Sequence, residues 1–319
     1  MKFPHLAGLL LFTLLSLSAR AETAIVLNSV DENISFIDTQ TYKETGRAPA
    51  CKEPHHLMAT PDDSSVIVAC AISNELVFFD AKTGKEQKRI KNISDPYQLG
   101  FSPDNKWFVA NSLRLDRVDI YKAADFTLVA RVPAASTPSH MAFDKASQFV
   151  FITLQDSNEV LAIDLKTQQP LWKVPVGPTP AGIHMTPDDK YLLVGIMGAN
   201  YVEVIDWRAR KTIKKIITDK AAHNFLPRGD GRHVFVSNRT VQGSISLVDM
   251  KTLTEVEKYD VPGGPDDMEI RADGKELWAT ARFARKVQVV DLDQKKLARS
   301  IPVGRSPHGV SFINHAGRQ

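Results

Sequence analysis

One interval governs this sequence. Prolines that open an apolar stretch stand at Pro54, Pro96, Pro138, Pro180, Pro265 and Pro307, with Ala222 in the one remaining place, and the steps are 42, 42, 42, 42, 43 and 42 residues. A chain that repeats at such a period builds one supersecondary unit many times over, each copy burying its faces against its neighbours. The third residue after each opening position is apolar: Leu57, Leu99, Met141, Ile183, Phe225, Met268 and Val310. So is the fifth: Ala59, Phe101, Phe143, Met185, Pro227, Ile270 and Phe312. This alternation predicts a strand with one buried face.

A turn comes next in most copies, written PDDSS, PDNKW, PDDKY, GDGRH and ADGKE. Asp, Asn and Gly tolerate the positive φ that a tight hairpin needs. The third copy reads DKASQ and lacks this chemistry, so an atypical turn is expected there. A second strand follows (VIVAC, WFVAN, FVFIT, YLLVG, HVFVS, ELWAT), then a third that ends on a recurring aspartate: Asp80, Asp164, Asp206, Asp249 and Asp291. Lys122 takes the aspartate's place in the second copy. A residue used once per repeat is expected to organise a turn rather than to catalyse. A short outer strand, as in EQKRI or LARSIPV, completes each unit.

Four strands in about 42 residues make a propeller blade, and a closed ring gives every blade a neighbour on both faces. The ends show how the ring closes. TAIVLNS near the start matches a second strand and NISFID (Asn33 to Asp38) a third, whereas the last repeat stops after its first strand, HGVSFI. The termini are therefore expected to share one composite blade, which removes open sheet edges. The predicted fold is all-β: a seven-bladed propeller over residues 22–319, with no linker or second domain.

PAGIHMTPDDKYLLVG and PHGVSF carry a further resemblance. The chain is similar to the YVTN-repeat β-propellers of bacteria, most of all the YncE-like proteins and the related haem-d1-type propellers, over all of residues 22–319. The resemblance implies a seven-bladed ring exported to the periplasm. It does not imply one activity, because the repeat is a folding motif and such rings host binding, lyase, lactonase and redox roles.

The first 21 residues read as a secretory signal. Lys2 supplies the positive start, Leu6 to Ser18 a 13-residue apolar core, and Ala19 to Ala21 the small-x-small cleavage pattern. That core is short for a membrane span, and an uncleaved anchor is the alternative. Cleavage after Ala21 removes Lys2 and Arg20 and takes the formal charge from +3 to +1. Neither this balance nor the four scattered tryptophans makes a case for nucleic acid. Export leads to an oxidising compartment, where Cys51 and Cys70, the only cysteines, can pair. Both are expected near the same mouth of the ring. The alternative is two free thiols, with Cys70 as a soft ligand.

The residue after each opening position begins the innermost strand at one mouth of the central channel. In ring order these residues are His55, Tyr97, Ser139, Ala181, His223, Asp266 and His308, followed by His56, Gln98, His140, Gly182, Asn224, Asp267 and Gly309. His223, Asp266, His308 and His55 fall on four consecutive blades. Three imidazoles and a carboxylate on one arc suit copper, zinc or iron, with His56 and His140 nearby. A metal-free, solvated polar funnel is the other reading. The ends of the second strands should reach the same mouth with Asn28, Asn111, Asn238, Arg239 and Arg282, and Arg114 farther out. Arg239 and Arg282 are candidates for holding an anionic cofactor or ligand, or are solvated loop arginines. His184 is expected to be a packed core histidine, and His233 and His315 surface residues. No GxSxG, P-loop, HExxH or CxxC motif occurs. Three functions follow as expectations: a ligand- or partner-binding accessory protein, its partner a small molecule or a periplasmic protein; a metal-dependent enzyme built on the mouth histidines; or a binder of a haem-d1-like tetrapyrrole with a mouth histidine as axial ligand.

Overall fold

A computed structural model describes residues 22–318. The expected signal segment, residues 1–21, lies outside the described residues. Strands β1 (Thr23–Asn28), β2 (Asn33–Asp38) and β3 (Lys43–Pro49) lead into blade 1, made of β4 (Pro54–Ala59), β5 (Ser65–Cys70), β6 (Glu75–Asp80) and β7 (Glu86–Lys91). Blades 2 to 6 repeat this order as β8–β11 (96–133), β12–β15 (138–175), β16–β19 (180–217), β20–β23 (222–260) and β24–β27 (265–302). The final strand, β28 (Pro307–Ser311), pairs with β1, so blade 7 runs β28-β1-β2-β3. The seven four-stranded antiparallel sheets are the expected ring, closed by both ends of the chain.

The core is divided among the seams between blades. Ile25, Leu27 and Ile34 of blade 7, for example, pack on Val66, Val68, Val77 and Phe79 of blade 1. Each seam has such a cluster, drawn from the alternate residues of neighbouring sheets. The recurring aspartates shape the turn between third and outer strands: Asp80 Oδ1 accepts from the Thr83 N–H at 2.7 Å, Asp164 Oδ1 from Thr167 at 2.7 Å and Asp291 Oδ1 from Gln294 at 2.8 Å.

The third copy's turn is not atypical after all. Ser147 sits at φ 56°, as Asn105 and Asp189 do at 55° and 60° in the matching turns. There, Ser102 and Thr186 hydroxyls accept the N–H that opens the second strand, at 3.0 Å each. In the third copy the Asp144 carboxylate accepts that N–H from Phe149 at 2.6 Å, and that of Gln148 at 2.7 Å. A carboxylate replaces a hydroxyl, and the backbone is unchanged.

One irregularity recurs in every blade. On the inner strand Pro54 pairs with Cys70 but Leu57 with Val68, so His55 and His56 together face a single residue of β5. The same shift occurs in blades 2 to 6 and, between β28 and β1, in blade 7. A β-bulge of this kind turns consecutive side chains away from strict alternation. It lets two adjacent residues per blade serve the channel, where a regular strand would send one outward.

Candidate functional site

Hydroxyls on the second strands pin these bulges to one another. Thr153 Oγ1 accepts from the His140 N–H at 3.0 Å and donates to the Ala181 carbonyl of the next blade at 2.7 Å. Ser237 does the same for Asn224 (3.1 Å) and Asp266 (2.9 Å), and Thr280 for Asp267 (3.0 Å) and His308 (2.8 Å). In blade 2 the Asn111 amide donates to the Ser139 carbonyl at 2.8 Å. Sequence reasoning missed Thr153, Ser237 and Thr280. Their signal was present, a small hydroxyl at the fifth position of the second strand, but it carries no ligand chemistry.

The asparagines read as mouth residues use their amide N–H groups within the structure, while Oδ1 of Asn28, Asn111 and Asn238 is buried without a partner. Asn28 donates to Asn33 and Ser35, both at 2.8 Å, and Asn238 to Ser244 and Ser246 at 3.0 and 2.9 Å. Arg114 pairs with Glu53 and Asp95 at 2.8 Å each and takes no part in the cluster.

The bulges bring His55, His56, His140, His223, His308, Asp266 and Tyr97 together. His55 and His308 rings lie 3.9 Å apart between centroids, His56 and His308 4.6 Å, and His55 and Tyr97 4.2 Å. His140 reaches across the channel, 5.4 Å from His56 and 5.3 Å from His223. On the other side Asp266 lies 3.1 Å from His223 Nδ1 and 3.8 Å from His308 Nε2. Arg239 and Arg282 each bring Nη1 within 3.2 Å of Asp266 Oδ2, and Arg282 Nε donates to Ser306 at 3.1 Å. The two guanidinium groups are thus engaged by a carboxylate of the protein.

The expectation of a wet mouth is corrected here. The five histidines and Asp266 are 0–5% exposed. They shield one another, and the partly exposed Arg239 and Arg282 side chains lie over Asp266 from the loops above. Burial holds all five imidazoles below the usual histidine range. Burial also works against the Asp266 charge, but His308, His223 and Arg239 outweigh it and keep this carboxyl well below the usual range. Asp267, partly exposed beside it, is pushed up to about 8 by burial, with the Asp266 and Glu269 charges adding. Tyr97 is pushed up to about 12, again by burial first.

Ring nitrogens in this cluster go unpartnered. His55 Nδ1, His56 Nε2, His140 Nε2, His223 Nε2 and both nitrogens of His308 are buried without a hydrogen bond. His223 Nδ1 is matched by Asp266 Oδ1 at 3.1 Å, and His140 Nδ1 lies 2.6 Å from Ser139 Oγ, which also accepts from Gln155 at 2.7 Å. Among the described residues, His55, His56 and His308 place ligand atoms within 4.8 Å of one another. Neutral imidazoles at such spacing can hold a metal ion.

The cysteines form a disulfide, Cys51–Cys70, with Cα atoms 5.8 Å apart, so Cys70 is no free thiolate ligand. His184 lies beside Phe225 (6.2 Å between centroids) and burial pushes it down to about 4, in keeping with a packed histidine. His233 bonds Asp230 at 2.7 Å. His315, expected on the surface, is mostly covered: its side chain is 9% exposed and reaches Asp63 at 3.2 Å.

A family model described as a YncE-like beta-propeller matches residues 8–318. A search of curated proteins finds no match. Solved structures resemble the ring at low identity. A protein of unknown function from Desulfotomaculum acetoxidans DSM 771 aligns with TM-score 0.79 at 15% identity, over 94% of this chain and 100% of that one. Kuenenia stuttgartiensis hydrazine synthase aligns with TM-score 0.68 at 16%, over 80% and 88%. The dihydro-heme d1 dehydrogenase NirN, in complex with DHE, aligns with TM-score 0.66 at 14%, over 92% and 75%. At such identities the likeness is one of fold. The family model spans nearly the whole sequence, and its ring is the one described above: the chain belongs to the YncE-like beta-propellers.

Proposed function

We propose that this chain is an exported, periplasmic propeller that acts as a ligand-binding accessory protein, seating its ligand in the histidine-lined channel mouth beneath Arg239 and Arg282. The observation that carries the reading is the set of six unpartnered ring nitrogens on five buried histidines. Buried polar atoms without partners are costly, about 1–3 kcal/mol each, and a fold that retains several in one place has a use for them. Exposed apolar side chains at Val30, Ile72, Leu115, Val241 and Phe283 stand on loops at the same face, where a partner protein delivering or accepting the ligand would sit. A second reading, metal-assisted catalysis, draws on the close approach of His55, His56 and His308.

Thermal-shift titration with transition-metal ions, a haem-d1-like tetrapyrrole and small oxyanions tests the site. A ligand that stabilises the wild type should lose its effect in the His223→Ala/His308→Ala double variant. A ligand bound equally well by both proteins places function on another surface. Cell fractionation tests the location, with the mature chain expected in the periplasmic fraction.

A further inference from the structure

We infer that His55, His56 and His308 form the site of a single metal ion, and that this ion is monovalent copper in preference to zinc. The inference rests on the reading of the mouth as a ligand site and names its occupant.

The first support is spacing. One ring nitrogen from each residue lies within 4.8 Å of the others. Nitrogens that share an ion at ~2.0–2.1 Å stand at most ~4.2 Å apart, so modest side-chain adjustment closes the set. The second is unmet bonding capacity: His55 Nδ1, His56 Nε2 and both His308 nitrogens are buried without partners. A bound ion would use lone pairs that nothing else in the fold uses. His55 and His56 come from one bulge and His308 from the next blade, so the backbone holds all three donors on pinned elements.

The third support selects the ion by charge. The three donors are neutral. The nearest carboxylate, Asp266, is already in contact with two cations, Arg239 and Arg282, each at 3.2 Å. Two guanidinium groups against one carboxylate leave an excess of positive charge beside the donors. A divalent ion would add two more charges with no anionic ligand to offset them, a monovalent ion only one. This repulsion grows as water is excluded. Zinc held by three histidines completes its tetrahedron with a bound water, and these three imidazoles are only 0–5% exposed. Copper is among the imidazole-binding metals and has a stable monovalent state that accepts three nitrogens. Asp266, expected from sequence to be a ligand, becomes a positioning residue that orients His223 from 3.1 Å, beside the three donors.

The test is anaerobic titration of untagged protein with Cu(I) against a chromophoric Cu(I) chelator, and with Zn(II) against a fluorescent zinc chelator. One equivalent of Cu(I) should bind, more tightly than zinc. His55→Ala and His308→Ala should each weaken it on the order of 100-fold or more. His55→Gln and His308→Gln, closer in size, serve should either alanine variant fail to fold by circular dichroism. No stoichiometric Cu(I) binding overturns the inference, as does Cu(I) binding unaltered by these substitutions. Zinc bound more tightly than Cu(I) overturns the choice of ion. A tetrapyrrole or oxyanion that binds the wild type and not the His223→Ala/His308→Ala variant, with neither metal bound, overturns the metal site while supporting the mouth as a ligand site.

Discussion

Asp266→Asn removes the negative charge that Arg239 and Arg282 both contact and leaves two guanidinium groups facing each other over the channel. Breaking a buried ion pair from one side costs about 3–5 kcal/mol, and the partly exposed arginines put this case near about 3 kcal/mol. Urea unfolding should show the loss, and Arg239→Met in the same background should recover part of it. Titration gives a second residue-scale prediction. Burial holds the five clustered imidazoles neutral below their ordinary value of 6.5, so the unfolded chain takes up protons that the folded one refuses. Their contribution is complete above pH 6.5 and is lost as pH falls below it, by up to about 1.4 kcal/mol per pH unit for each histidine. Asp267 has the opposite sign. Its folded value is raised to about 8, so its contribution is present below the ordinary carboxylate range and is lost as pH rises toward 8. Calorimetry should therefore find that Asp267→Asn raises Tm at pH 8 and leaves it unchanged at pH 4.

The bulge is the element that assembles the cluster. The repeat of opening prolines made the inner-strand positions legible in the sequence, and with them His55, His223, Asp266 and His308 as neighbours. Two things were not legible. His56 and His140 were read at the mouth beside the residues before them, but the bulge that lets a strand of period two present both shows only in the register with β5 and its counterparts. Burial was hidden as well, because a histidine reads as polar wherever it stands, and what covers it depends on side chains from other blades. The hydroxyls that pin the bulges are testable. Thr153→Val removes one donor and one acceptor at once, leaving the Ala181 carbonyl and His140 N–H unpaired in a buried place, and should cost about 1–3 kcal/mol in urea unfolding. The neighbouring Gly182 sits where an added Cβ would lie 2.0 Å from the His223 carbonyl oxygen. Gly182→Ala should therefore destabilise the inner strands of blades 4 and 5 through overpacking, by about 1–3 kcal/mol or more. The Cys51–Cys70 bridge ties the segment before His55 to the end of β5 across 19 residues. The double Cys51→Ser/Cys70→Ser variant should lose about 3 kcal/mol in the chain-entropy model, measured against the oxidised wild type.

At the scale of the molecule, the ring is held by the pairing of β28 with β1 and by a short tail beyond it. The Ala316 N–H donates to the Ile270 carbonyl at 2.8 Å, and Arg318 pairs with the buried Glu269 at 2.7 Å. Removing residues 314–319 should keep the ring closed but leave the Glu269 carboxylate buried without its cation. Burial already raises that group, so the truncated chain should unfold at lower temperature, most markedly at alkaline pH. Closure was the most legible level of all, because an incomplete repeat at each end has one economical solution. The composite blade also sets an order in time. A ribosome releases β1, β2 and β3 first and β28 last, and His308 arrives only with that final strand. A prematurely terminated product can fold most of its blades yet has an unfinished pocket. A ligand seated among these histidines, as proposed above, would be held only once β28 has brought His308 into the ring.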